Sequence, residues 1–335
     1  MPERADAVVV GAGVMGLATA HALARMGREP IVLEQFRLGH THGSSHGATR
    51  IFRLAYDEPE WVRLAQEALP LWRRLEAESG EPLLDLTGLV DLPLDLDRLT
   101  AALDGTDTAY ELLTAAEVEH RFGLATNCCK AVFQPDAGVV FADRAVRALA
   151  AGLDVREHVR VDALTPNGVE TDAGAIEADT VVVAAGAWAR TLLRGAGIDL
   201  PVVPTRETVS YFRLASGGAV PSVIDYANRE TYALTAGDGV LKVGVHRTGP
   251  PTDPPDEGEP DPEIVAVATE WAGRSFRLAQ PDPVRVETCI YTNTADAGFV
   301  LERHGRIVVC SACSGHGFKF APAVGARVAA LASMS

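Results

Sequence analysis

Cysteine is scarce in this chain, and the five present (Cys128, Cys129, Cys289, Cys310 and Cys313) are odd in number, with two of them adjacent. A disulfide framework calls for an even, spaced set in a small secreted domain, so none is expected, and a reducing cytoplasm fits. Long apolar runs are missing too. The longest charge-free stretch near the N-terminus, residues 7–20, has 14 residues, short of the ~20 that a bilayer-spanning helix needs. Three glycines interrupt it and acidic residues precede it, unlike the core of a signal peptide. Positive charge is in deficit: 30 Lys and Arg face 45 Asp and Glu, a formal net charge of −15. Such a surface repels phosphate backbones and anionic lipid, so neither nucleic acid nor a membrane is an expected partner. A local basic pocket could still admit a small anion. No internal repeat is found. What remains is 335 residues, 47% apolar and 22% charged, a globular composition with length for about two domains and a sizeable core.

The first 34 residues are the most legible. Ala7-Val8-Val9-Val10 is a β-branched run of the kind buried on both faces of a parallel sheet. It meets Gly11-Ala12-Gly13-Val14-Met15-Gly16, then a helical stretch to Met26 with Gly27 as its C-cap. Pro30–Leu33 is a second strand, followed at once by Glu34. This is a βαβ unit carrying G-x-G-x-x-G. Gly11 makes the tight turn, Gly13 lets the backbone approach a pyrophosphate, and Gly16 allows close helix–sheet packing. The helix N-terminus faces the phosphates, and Glu34 accepts from ribose hydroxyls, which argues against a 2′-phosphate and hence against NADP.

Downstream, Asp57–Ser79 reads as mainly helical, with Pro70 as a kink. Residues 83–134 are mixed and poorly periodic. A helix over Ala142–Ala151 precedes strands at Val159–Val161 and Gly168–Thr171, then an apolar strand running from Ala178 to Trp188. Apolar and polar residues alternate between 205 and 292, suggesting an antiparallel sheet. Asp253–Pro262 is acidic and proline-rich, a solvated loop.

Several side chains invite chemistry. A Gly- and Ser-rich loop holds His46, Arg50 and Arg53; in a strand the two arginines face opposite ways, in a helical turn they share a face. His40, His42 and His46 lack a nearby cysteine or carboxylate, so no metal is expected. Around Lys242, apolar Leu241, Val243 and Val245 alternate with Lys242, Gly244 and His246. Strand periodicity therefore puts Lys242 and His246 on one face with open space at Gly244. Cys289 on its own reads as an inert core thiol. Cys310-x-x-Cys313 lacks a thioredoxin-like context and reads as two packed thiols.

Four segments taken together narrow the field: residues 43–53 (GSSHGATRIFR), 184–188 (AAGAW), 286–292 (VETCIYT) and 314–320 (SGHGFKF). They resemble the D-amino acid oxidase superfamily of FAD enzymes, and within it the monomeric sarcosine oxidase-like members, over residues 5–331. The resemblance implies an α/β fold in which a Rossmann-like FAD-binding domain (1–78, 137–204 and 296–335) interleaves with an antiparallel-sheet substrate domain (79–136 and 205–295). It implies FAD held by Gly11, Gly13, Gly16, Glu34, Ser44, Arg50 and Val161, and further along by Gly186, Trp188, Gly315, Gly317 and Lys319. Cys289 matches the family's covalent flavin cysteine. Arg50 and His46 lie against the flavin ring, and the family often has an acid where this chain has Ala48. Arg53 and Lys319 hold the substrate carboxylate, with Tyr232 reaching the same site. Lys242 promotes reaction with O2, and His246 is a substrate-side histidine. The implied reaction is oxidation of the C–N bond of a small amino acid, a secondary amine, by a cytoplasmic monomer that makes H2O2. The alternative is a dehydrogenase that passes electrons to an acceptor other than O2.

Overall fold

The computed structural model describes residues 3–216, 220–254 and 258–334. The apolar run at the N-terminus lies at the centre of a sheet covered on both faces. Strand Glu3–Val10 pairs in parallel with Pro30–Leu33 on one edge and with Gly174–Val183 on the other. Pro30–Leu33 takes Asp154–Arg156 in parallel. The long strand Gly174–Val183 has two partners along its outer edge: Gly168–Thr171 antiparallel at its start, Ile307–Ser311 parallel at its end. Hairpins joining Val161–Thr165 to Gly168–Thr171 and Val300–His304 to Ile307–Ser311 complete eight strands. Helix Val14–Arg25 packs against helix Ala321–Ser333 so closely that a Cβ on Gly325 would stand 2.5 Å from the Ala18 backbone.

A second eight-stranded sheet runs in the order Arg285–Asn293, Val203–Arg213, Val240–Val245, Thr231–Thr235, Ser222–Asp225, Leu89–Leu92, Ala131–Gln134, Glu111–Leu113. Its pairings are antiparallel except the one between Ser222–Asp225 and Leu89–Leu92. Strands from two distant stretches of chain thus share one sheet. Between the large sheets, Thr49–Phe52 pairs with Gly138–Phe141, which also takes the short strand Leu84–Asp85. Among the described residues no helix is long and apolar enough to cross a membrane.

Several local expectations are corrected. Val159 and Arg160 lie outside the strand, which opens at Val161. Their amides are met elsewhere, Val159 by the Glu34 carbonyl and Arg160 by the Asp172 carboxylate, so neither needs a ladder partner. The strand expected to reach Trp188 stops at Val183, and Gly186–Trp188 forms a 3-10 turn into helix Ala189–Gly195. Gly186 sits there at φ +52°, in the left-handed region that glycine adopts without a Cβ clash. A helix, Pro262–Ser275, interrupts the stretch read as sheet; Asp261 caps it by accepting from the Glu263 amide. The acidic loop before it includes residues 255–257, which lie outside the described residues.

Candidate active site

One cavity of about 1570 Å³ runs between the two large sheets. It is well above the size of an ordinary single-ligand pocket, with room for a dinucleotide and a small second molecule. At one end lie Gly11 and Gly13 of the first turn, with Gly16 just behind them. A Cβ on Gly11 would stand 2.7 Å from the Ala184 carbonyl oxygen, and one on Gly16 would stand 2.0 Å from that of Gly11. A side chain at either position would collide with backbone and open the turn, whereas the bare turn leaves the start of helix Val14–Arg25 at the cavity, which fits a pyrophosphate held against backbone. Ser45 Oγ accepts the Val14 amide at 3.0 Å, tying the loop at 40–48 to that helix start. Glu34 is buried, and its carboxylate accepts from the Ala12 and Phe36 amides, each at 2.9 Å. The oxygen that accepts from Phe36 also faces His40 Nε2 at 3.5 Å, while the one that accepts from Ala12 keeps a second lone pair for a hydroxyl. Val161, Gly186 and Trp188 line the same end.

In the middle of the cavity, strand Thr49–Phe52 carries Arg50, whose guanidinium is held by carbonyls: Thr49 at 2.9 Å, Ser44 at 2.8 Å and His46 at 2.5 Å. That grip fixes a positive charge without neutralising it. The acid missing at position 48 has a neighbour of another origin, since Asp143 accepts the Gly47 amide at 3.1 Å. His46 is lowered to about 3 by burial and then by Arg50, so it is neutral at physiological pH, and its Nε2 is buried without a partner. Lys242 is buried and lowered to about 7, by burial first and Arg50 second. Cys289 lies on strand Arg285–Asn293 and faces the cavity with Glu287 and Tyr291. Burial raises its thiol, while Lys242 and Arg50 pull the other way. Cys313 accepts the Thr292 amide through Sγ at 3.3 Å and lies 3.8 Å from Ser44 Oγ, a packed thiol as expected.

Arg53, just past the end of its strand, reaches the other end of the cavity. Its Nη1 donates to Tyr226 Oη at 2.8 Å and lies 3.4 Å from Asp91 Oδ2, and its Cζ stands 3.9 Å from the Tyr56 ring. Burial lowers Arg53, but Tyr226, Tyr56 and Asp91 more than offset it, so the net direction is upward and its charge is permanent. Lys319, in the 3-10 turn Phe318–Phe320, donates from Nζ to the His316 carbonyl at 2.7 Å, and its own carbonyl accepts from Trp72 Nε1. Burial, then Arg53, holds its ammonium well below the usual range. His316 donates from Nε2 to Ala297 at 2.9 Å, which leaves Nδ1 to accept from Tyr56 Oη. His246 is neutral, lowered to about 3 by burial and then Arg53.

The open space expected beside Lys242 is filled. Gly244 pairs with Tyr232, and a Cβ there would stand 2.5 Å from Tyr232 Oη. The phenol lies across the glycine and comes within 3.5 Å of Tyr291 Oη. Gly315 does the same for His246 and Tyr291, whose rings a Cβ would approach to 2.4 Å.

The cavity therefore collects Gly11, Gly13, Glu34, Ser44, His46, Arg50, Arg53, Val161, Gly186, Trp188, Tyr232, Lys242, His246, Cys289, Gly315, Gly317 and Lys319. Gly16 stands behind the turn and shapes it from below. Sequence reasoning missed Tyr56, Asp91, Tyr211 and Tyr226. Two signals were available: Asp91 is a charge inside the apolar strand Leu89–Leu92, and five of the chain's six tyrosines line this cavity. Two of its three lysines do so as well.

The chain is similar to known proteins over nearly its whole length. The family model described as DAO, FAD dependent oxidoreductase, matches residues 6–331. Peroxisomal sarcosine oxidase of Homo sapiens is 33% identical, covering 96% of this chain and 90% of that protein. Monomeric sarcosine oxidase of Bacillus sp. (strain B-0618) is 31% identical, covering 99% of this chain and 93% of that protein. Among solved structures the open form of NikD, an unusual amino acid oxidase essential for nikkomycin biosynthesis, superposes with a TM-score of 0.88 at 28% identity, covering 99% of this chain and 94% of that one.

Proposed function

This chain belongs to the DAO family of FAD dependent oxidoreductases, and from that premise we propose that it oxidises a small secondary amino acid, N-methyl or cyclic, to its imine with O2 reduced to H2O2. It is an FAD-dependent amino acid oxidase, acting on a C–N bond. The observation that carries the substrate reading is the buried, permanently charged Arg53 beside the buried Lys319 amine, in a part of the cavity where Tyr56, Tyr226 and the neutral His246 and His316 stand close by. Such a site favours a carboxylate and disfavours a second cation. Bound FAD supplies the two-electron acceptor.

The residues divide the remaining work. Gly11, Gly13 and Gly16 would admit the pyrophosphate, Glu34 the ribose, and Ser44, Arg50, Val161, Gly186, Trp188, Gly315 and Gly317 the rest of the cofactor. Cys289 would hold it through a thioether; the charges of Lys242 and Arg50 favour the thiolate that such a bond requires. Arg53 offers a planar fork that matches two carboxylate oxygens, and Lys319 adds an N–H donor. An amine of this class keeps its proton up to a pH of about 10 in water. The Arg53 charge beside the bound substrate lowers that value and helps release the lone pair the reaction needs. His46 and His246, held neutral, add no charge of their own, and Tyr232 bounds the pocket. Lys242 provides positive charge on the wall where O2 would gain electrons. The reading includes a cytoplasmic monomer, and sedimentation velocity on the purified protein checks the second part.

The test is peroxide formation under air with sarcosine, other N-methyl amino acids, proline and pipecolate. Turnover with peroxide in step with substrate loss supports the proposal. Bleaching of the flavin without peroxide would instead assign electrons to an acceptor other than O2.

A further inference from the structure

Asp91 has no place in the reaction as described, yet it is the acid paired with Arg53. It stands in strand Leu89–Leu92 with 1% of its surface exposed. Its Oδ2 lies 3.4 Å from Arg53 Nη1, while its Oδ1 is buried with no hydrogen-bond partner. The bond from Arg53 to Tyr226 also leaves from Nη1. Among the described residues, the contacts of Arg53 therefore occupy one end of the guanidinium. The Nε–Nη2 edge, which presents two parallel N–H groups, keeps its donors for a ligand.

Docking of a carboxylate on that edge is governed by charge balance. Arg53 and Asp91 neutralise each other where little water reaches. A second anion on the same guanidinium would leave a buried net negative charge, which burial penalises heavily. One proton from solvent, forming an O–H bond on Asp91, removes the excess. Arginine, aspartate and ligand then sum to zero, as arginine and aspartate did before.

We propose that Asp91 is a positioning residue that Arg53 exchanges for the substrate: as the carboxylate docks, Asp91 takes up one proton. This rests on the reading of Arg53 as the carboxylate anchor. The groups facing Asp91 are consistent with it. Tyr56 and Tyr226 have ionisations pushed above the usual range, chiefly by burial, so they stay uncharged. Burial favours protonation most, Arg53 opposes it and Asp57 adds to the burial effect; the net holds the Asp91 carboxyl up at about 7, within reach of neutral solvent.

The FAD-loaded protein and acetate, a carboxylate with no amine to oxidise, provide the test. Calorimetric titrations between pH 6 and 8, in buffers of different ionisation enthalpy, should show proton uptake that grows across the range. The Kd should be about tenfold weaker at pH 8 than at pH 6. Asp91→Asn should bind acetate with a Kd flat across the range and with the uptake lost. Lys319 is the other titrating group in reach, so uptake and slope that persist in Asp91→Asn belong to it and overturn the exchange. Arg53→Gln separates the two readings. If it binds acetate as the wild type does, or if the wild type binds none, Arg53 is not the anchor and the exchange falls with that reading. If it loses acetate while Asp91→Asn keeps the wild-type slope, the exchange alone falls. Should Asp91→Asn fail to fold, the infrared difference spectrum of the wild type on acetate binding decides. A new protonated-carboxyl C=O band supports the exchange, and its absence overturns it.

Discussion

Lys242 gives up its proton easily because the strand carrying it is covered on the cavity side and Arg50 stands near, bringing it down to about 7. Below that pH it is a cation, and above it the charge fades, so a step that depends on the charge slows as pH rises through neutrality. Lys242→Met should therefore slow reoxidation of the reduced flavin by O2 by about a hundredfold, the scale of losing one preorganised electrostatic contact. Anaerobic reduction by substrate should change far less, and stopped-flow traces of the two half-reactions check this; equal slowing of both would remove the assigned role. Cys289→Ser should shift yellow colour from the acid-precipitated pellet to the supernatant, whereas a wild-type pellet left colourless would sink the thioether. Lys242 was readable because strand alternation turns it to the cavity, whereas His246 stands one residue past the end of strand Val240–Val245 and still lines the same cavity. Arg53 was readable only through resemblance, since its position one residue past a strand end has no periodic signature. Asp91 and Tyr226 were not readable at all: Asp91 meets Arg53 from a strand and Tyr226 from the 3-10 turn just after another, and the sheet pairing between Leu89–Leu92 and Ser222–Asp225 brings them together.

At the scale of elements, two glycines that look alike in sequence serve opposite kinds of neighbour. Gly16 faces backbone, since a Cβ there would stand 2.0 Å from the Gly11 carbonyl oxygen, and neither the turn nor the helix can yield without opening the dinucleotide end. Gly16→Ala should cost about 1–3 kcal/mol of stability in urea unfolding and release cofactor on dilution. Gly244 faces the tip of a side chain, the Tyr232 phenol at 2.5 Å, which can swing. Gly244→Ala should leave the melting temperature within a few degrees and shift KM among amines of different size, because it moves a pocket wall and not the scaffold. A large loss of stability would show that Tyr232 is locked. The βαβ unit was legible from residue order because all its determinants are local: run, turn, helix, run, acid. Residues 83–134 were not, because their strands have only two to four residues, and three of them complete a sheet whose other strands lie between residues 203 and 293. Helix Pro262–Ser275 escaped notice for a related reason: it comes after a proline-rich acidic stretch, yet Pro262 in its first turn is where proline suits a helix.

At the scale of the whole molecule, an acidic protein has put its scarce lysines where they are hardest to charge. Lys242 and Lys319 are both lowered by burial, so between pH 7 and about 10 the unfolded chain binds more protons than the folded one. Stability of the cofactor-free protein should therefore rise with pH over that window. The slope is bounded by about 1.4 kcal/mol per pH unit for each lysine that stays deprotonated in the fold. Other groups set the edges of the window. Asp91, raised to about 7, works in the opposite sense below it, since the folded state holds its proton where the unfolded one does not. The buried thiols Cys289 and Cys310, both raised by burial, oppose the lysines once unfolded cysteines begin to ionise, near pH 8.5. His46, His246 and His316 are all lowered and destabilise the fold only in acid, below the ordinary histidine range. The clean interval is pH 7 to 8.5, and urea unfolding of the cofactor-free protein across it should give a rising midpoint. Lys242→Met should start more stable at pH 7 and show a shallower slope, because one of the two lysines that drive the rise is gone. A midpoint that is flat or falls in the wild type would mean that both ammonium groups keep their charge inside the fold, and the cavity would then be wet enough to solvate them.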